Sequence, residues 1–129
     1  MGWMCFVLVE IRQEQGWCLF NDRQQPHHQP GFNLAPQSWG GRNYAHYYNC
    51  AQAQELPQDL SPGVAEIIHS NQQRWGKDAI NRPCCFTLEE LLAIHEADRD
   101  QVHAHFDVIF LQALANQLKR PLRLVCWLI

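Results

Sequence analysis

Seven histidines and six cysteines in 129 residues make metal ligation the first chemistry to weigh. His103 and His105 lie two positions apart in a helical segment, about 200° around the axis from one another, so they do not share an ion. Glu96, Asp100, His103 and Asp107 do share a face, at i, i+4, i+7 and i+11, where carboxylates and an imidazole could hold a divalent ion. The same spacing makes the solvated acidic side of a surface helix, and that is the reading adopted. His27-His28 has no second ligand cluster near it in sequence, and Cys84-Cys85 lacks the two-residue gap usual for zinc thiolates. No Gly-x-Ser-x-Gly elbow occurs, and Gly40-Gly41 is too short to cradle a phosphate. The expectation is therefore no metal, no cofactor and no assignable catalytic residue. Trp39, Arg42, Asn43, Tyr44 and Tyr48 form the densest aromatic and hydrogen-bonding group, a composition enriched in binding hot spots. The tyrosine spacing also fits the buried side of a helix. The expected binding residues are Trp39, Arg42, Asn43 and Tyr44, together with the acidic Glu96, Asp100 and Asp107.

Composition narrows the classes. A chain of this length closes one hydrophobic core, so residues 1–129 are expected to form one domain. Lys and Arg number 10 against 13 Asp and Glu, a net charge of −3. That leaves no basic excess to neutralise a nucleic-acid backbone, and direct binding to nucleic acid is not expected. No apolar run approaches the roughly 18 to 20 residues of a membrane helix, and the N-terminal apolar segment has no basic start or small-residue cleavage site. The expectation is a cytoplasmic protein whose cysteines, several of them inside apolar runs, are buried free thiols.

The elements that must position these residues follow from periodicity. Asp78 to Leu118 carries most of the helical signal. Thr87-Leu88-Glu89-Glu90 reads as a capping box, and Leu88, Leu91 and Leu92 share a face. Val102, Phe106, Ile109, Phe110, Ala113, Leu114 and Leu118 recur at three- and four-residue spacing. His95 and Arg99 interrupt that stripe, which predicts two helices, or one bent near Asp98. Upstream, Met4 to Phe20 reads as a β-hairpin turning at Gln13 to Gly16, with Cys5, Val7, Val9 and Ile11 facing one way and Phe6, Leu8 and Glu10 the other. Asn21 to Gly41 is a long Pro- and Gly-rich loop, Arg42 to Ala53 a short helix, and Ser61-Pro62 the start of another that ends at Trp75-Gly76. A loop through Asn81-Arg82-Pro83 leads into the capping box. Leu122 to Ile129 is an apolar strand best buried beside the hairpin. The fold class is α+β: a small antiparallel sheet, made of the N-terminal hairpin and the C-terminal strand, covered by helices on one face.

Short islands at Gly41-Arg42-Asn43-Tyr44, Leu56-Pro57-Gln58-Asp59-Leu60-Ser61-Pro62, Trp75-Gly76-Lys77-Asp78 and Thr87-Leu88-Glu89-Glu90-Leu91 resemble a poorly characterised family of small phage and prophage proteins. Val9-Glu10-Ile11-Arg12 and Arg123-Leu124-Val125-Cys126-Trp127 resemble it too. The family's Cys-Asp-Ile-His opening is replaced here by Trp3-Met4-Cys5-Phe6, and its His-Ser-rich segment by Ile80 to Phe86, so polar ligands have become apolar. The resemblance implies a scaffold kept and a polar site abandoned, which favours binding over catalysis. The expectation is a phage-type accessory protein that binds a host protein stoichiometrically, as an anti-CRISPR-like inhibitor of a nucleic-acid-handling defence complex would. The alternative is a small-ligand or metal-dependent enzyme with a pocket near residues 39–48.

Overall fold

The structure, a computed structural model, describes residues 4–20, 42–97 and 105–129, with the side chains of Arg42, Asn43 and residues 105–108 outside the description. Its elements run β1 (Cys5–Gln13), β2 (Gly16–Leu19), α1 (Arg42–Cys50), α2 (Pro62–Trp75), β3 (Asn81–Thr87), α3 (Leu88–Ala97), α4 (His105–Leu118) and β4 (Leu122–Leu128). The strands form one antiparallel sheet in the order β2-β1-β4-β3. This is the expected α+β class, with β1 and β4 as the paired central strands. No helix among the described residues is long and apolar enough to cross a membrane.

Local chemistry sets the element ends. Gly16 takes a φ of 125° where the hairpin returns, a backbone state that glycine adopts at little cost. Ser61 caps α2, its hydroxyl accepting from the Val64 amide at 3.2 Å, and Pro62 follows at the first helical position. Gly76, at φ 106°, closes the same helix by donating to the Gln72 carbonyl. The Thr87 capping box forms as expected. The Glu90 amide donates to the Thr87 hydroxyl at 3.1 Å, and the Glu90 carboxylate accepts from the Thr87 amide at 3.5 Å.

Four expectations are corrected. Asn81-Arg82-Pro83 is not a loop but the start of edge strand β3. Its register shifts between Asn81 and Cys84, and Arg82 sits at φ 47°. Proline, which cannot donate to a ladder, is tolerated at such a bulged edge, so its presence did not preclude a strand. Helices also cover both faces of the sheet, not one. Val7, Val9, Leu124, Cys126, Cys84 and Phe86 pack with Tyr44, Tyr47, Leu91 and Leu111 of α1, α3 and α4. Leu8, Val125 and Trp127 pack with Val64, Ile67 and Ile68 of α2. The split follows the alternation of β1, whose two predicted faces are both apolar. In α4 the inward face is Leu111, with Phe110, Leu114 and Ala115 partly buried, whereas Ile109 is 65% exposed and Ala113 also faces outward. Apolar residues nearly encircle this helix, so spacing alone did not fix which side faces in. Finally, the cysteines are not uniformly buried: none is in a disulfide, but Cys18 and Cys50 are exposed and Cys85 half-buried.

Residues 98–104 lie outside the described residues, yet α3 and α4 are two helices and not one straight rod. Positions eight or more apart in a rod would be separated by at least about 12 Å, whereas α3 and α4 lie against each other.

Where α2 crosses β2 the approach is close. A Cβ added at Gly63 would stand 2.8 Å from the Leu19 Cβ, too near for either to accommodate without a backbone shift. Gly63→Ala is expected to destabilise the fold by roughly 1–3 kcal/mol. Urea denaturation checks this, the midpoint falling at unchanged slope.

Candidate functional site

The densest polar chemistry among the described residues is built on the two central strands. Glu10 of β1 and Arg123 of β4 stand directly opposite one another in the register, and both are buried, Glu10 completely. The Arg123 Nε donates to Glu10 Oε1 at 2.6 Å. The other carboxylate oxygen of Glu10 accepts from the Ser61 amide, also at 2.6 Å, so the strand carboxylate holds the N-cap of α2. The remaining guanidinium donors reach Asp59, Nη1 to its carboxylate at 3.0 Å and Nη2 to its carbonyl at 3.1 Å. The indole of Trp17, on the neighbouring β2, lies beneath the guanidinium, its ring centroid 4.1 Å from the guanidinium carbon.

Both oxygens of the buried Glu10 carboxylate and all three nitrogens of the Arg123 guanidinium thus have partners inside the protein, while the Asp59 side chain remains largely exposed. That arrangement orients the two central strands and the N-terminal end of α2. The Arg123 hydrogen bond holds the Asp59 carboxyl below the usual carboxylate range, against a smaller opposing push from desolvation. Sequence reading missed the cluster, although a signal was present. Glu10 and Arg123 are opposite charges inside two apolar strands expected to pair, and such charges must meet or stay exposed.

Opposite lies a second group, of thiols and a tyrosine. Tyr44, from the expected binding set, is in the core at 1% exposure, its hydroxyl donating to the Arg82 carbonyl and lying 3.6 Å from the Cys84 sulfur. Its ring packs inward, so it does not line an open pocket near residues 39–48. Burial pushes its phenol pKa well above the ordinary value, and neighbouring thiols add to the push. Burial likewise pushes the Cys85 thiol up to about 11. A surface cleft of 460 Å³ does exist elsewhere, between the end of α2 and the end of β4, lined by Trp75, Lys77, Asp78, Asn81 and Ile129 among others.

Of the remaining expected residues, Glu96 is exposed near the end of α3, and Glu89 is exposed seven positions earlier on the same outward side. Trp39 and Asp100 lie outside the described residues, as do the side chains of Arg42, Asn43 and Asp107. Of the seven predicted residues, only Tyr44 and Glu96 have described side chains, the first buried in the core and the second exposed on α3. Among the described residues no group of three or more His, Cys, Asp and Glu side chains is placed to hold a metal ion.

Removing one member of a buried ion pair leaves the other charge without compensation. Glu10→Leu and Arg123→Leu are each expected to cost about 3–5 kcal/mol, while combining the two replacements recovers much of that loss. A double-mutant cycle of chemical denaturation measures the coupling. Because the Asp59 pKa is lowered on folding, its contribution is fully present above the unfolded value of about 3.9 and is lost as pH falls through the folded value. With the side chain 64% exposed, that contribution is at most about 1 kcal/mol. Asp59→Asn should lower stability near neutral pH and converge with the parent chain below about pH 4, as urea titrations across pH will show. No protein-family model, no curated protein and no solved structure matches this chain.

Proposed function

We propose that this protein acts by stoichiometric binding, presenting the outward side of α3 to a basic surface on a nucleic-acid-handling host protein, as a phage-type, anti-CRISPR-like inhibitor of a defence complex. The observation that carries the reading is the pair of exposed carboxylates Glu89 and Glu96, a full two turns apart on one helix whose opposite side is anchored by buried Leu91. A rigidly docked helix offers its charges at low cost in ordering. Complementary charge of this kind steers encounter and sets register. The resemblance of several sequence islands to small phage and prophage proteins points in the same direction. In that role the buried Glu10–Arg123 cluster keeps the frame rigid and the surface carboxylates meet the partner.

The test is capture of partners from host lysate by the tagged chain, with mass spectrometry, followed by affinity measurement on the purified complex. Glu89→Lys with Glu96→Lys is expected to weaken binding at least tenfold and to leave the residual affinity less dependent on salt than that of the parent chain. Equal affinity for parent and variant would remove the electrostatic basis of the proposal. A partner set containing no nucleic-acid-handling protein would remove its target class.

A further inference from the structure

Three of the buried thiols lie on the face of the sheet covered by α1, α3 and α4, and their register separates them. Cys84 of β3 and Cys126 of β4 are direct cross-strand partners, both fully buried. Directly opposed residues in an antiparallel pair have Cα atoms about 4.5–5.5 Å apart, inside the roughly 4.4–6.8 Å span that a disulfide bridges. Cys5 of β1 pairs with Leu128, while Cys126 pairs with Val7 on that side, so Cys5 stands diagonal to Cys126. Diagonal neighbours are about 7–8 Å apart, beyond that span. Cys85 follows Cys84 in the strand but packs on the opposite face, with the α2 cluster. Alternation therefore leaves Cys84 and Cys126 as the one pair already opposed.

We propose that Cys84 and Cys126, fully buried in the closed sheet, form a modification site for peroxides that is reached when edge strand β3 opens locally. Oxidation joins them in a cross-strand disulfide and fastens β3 to central strand β4. The chemistry balances in two steps. The Cys84 thiolate attacks one oxygen of hydrogen peroxide, the O–O bond breaks, hydroxide leaves and a sulfenic acid forms. The Cys126 sulfur, losing its proton, then attacks the Cys84 sulfur, and the sulfenic hydroxyl departs as water. Overall two thiols are oxidised and one peroxide is reduced to two waters. The surroundings favour Cys84 as the first nucleophile. The Cys126 thiol beside it, foremost, holds the Cys84 thiol below its ordinary pKa although burial opposes this, and the Tyr44 oxygen lies 3.6 Å from the Cys84 sulfur. Burial, foremost, pushes the Cys126 thiol up. Strand β3 runs into Thr87, the cap of α3, so the bond would fix the base from which that helix projects.

The experiment uses the full chain with the exposed thiols removed as Cys18→Ser and Cys50→Ser. A parallel sample of unsubstituted chain has its exposed thiols alkylated before oxidation. Each is treated with hydrogen peroxide under native conditions and then alkylated in denaturant, with intact-mass and peptide-level mass spectrometry as readout. The expected result is loss of two hydrogens, a single linked peptide pair joining Cys84 to Cys126, and a melting temperature raised on the order of 10 °C and reversed by dithiothreitol. The chain oxidised in urea is expected to give mixed pairings. Cys84 and Cys126 fully alkylated after native oxidation would overturn the proposal, as would the same mixture in native and urea samples or a melting temperature lowered by the bond.

Discussion

A carboxylate with no solvent exposure, placed in the middle of the sheet, is the constraint on which the rest of this structure depends. Glu10 could not be desolvated alone at a tolerable free energy. It is buried because Arg123 faces it across the β1–β4 pair and the Ser61 amide meets its second oxygen. One side chain thereby fixes three things together: the register of the two central strands, the entry of α2, and the position of the segment that brings Asp59 to the guanidinium. Sliding β1 by one residue would turn Glu10 into the opposite apolar layer and carry Ile11 out of it. A buried ion pair is weak as a source of net stability but strong as a selector among alternative packings.

The two faces of the sheet divide the work that this clamp makes possible. On the α2 side the polar cluster sits beside a layer of Leu8, Val125 and Trp127, with the Phe6 ring stacked on Trp127 at 5.2 Å. On the other side, among the described residues, the buried cluster holds no charged side chain, and its polar side-chain atoms are the phenols of Tyr44 and Tyr47 and the thiols of Cys5, Cys84 and Cys126. There the Tyr47 ring meets Phe86 edge-on at 6.4 Å. Helix α3, with Leu91 pressed into that layer, has its outward carboxylates placed by the packing of its inner side.

Much of this was legible in the residues. Chemically determinate signals translated directly: Ser61-Pro62 opened α2, Thr87 and Glu90 closed a capping box, Gly16 returned the hairpin, and the alternation of β1 named both of its faces. The missing parts had a common cause, in that long-range geometry decided them. Strand β3 was hidden because Pro83 and the positive φ of Arg82 are turn-like locally and become strand-compatible only beside β4. The side of α4 that packs inward was undetermined because apolar residues surround it. The candidate site fared worse than the fold. Tyr44 was named for its neighbours in sequence, yet its neighbours in space are Arg82 and Cys84. Glu10 and Arg123 were read as strand residues, though their isolation among apolar neighbours pointed to each other.

The pairing of β1 with β4 also governs how the chain reaches this state. Glu10 and Arg123 are separated by 113 positions, and the central ladder forms only when the two ends of that span meet. Closing so large a loop is entropically costly before any of its contacts form, which makes high-contact-order sheets slow to assemble. During synthesis the hairpin, α1 and α2 emerge ahead of the strand that completes both cores, so the nascent chain must hold its apolar strand faces uncovered until Leu122 to Leu128 leave the ribosome. Uncovered apolar strand faces of this kind are the surfaces that chaperones engage on folding chains.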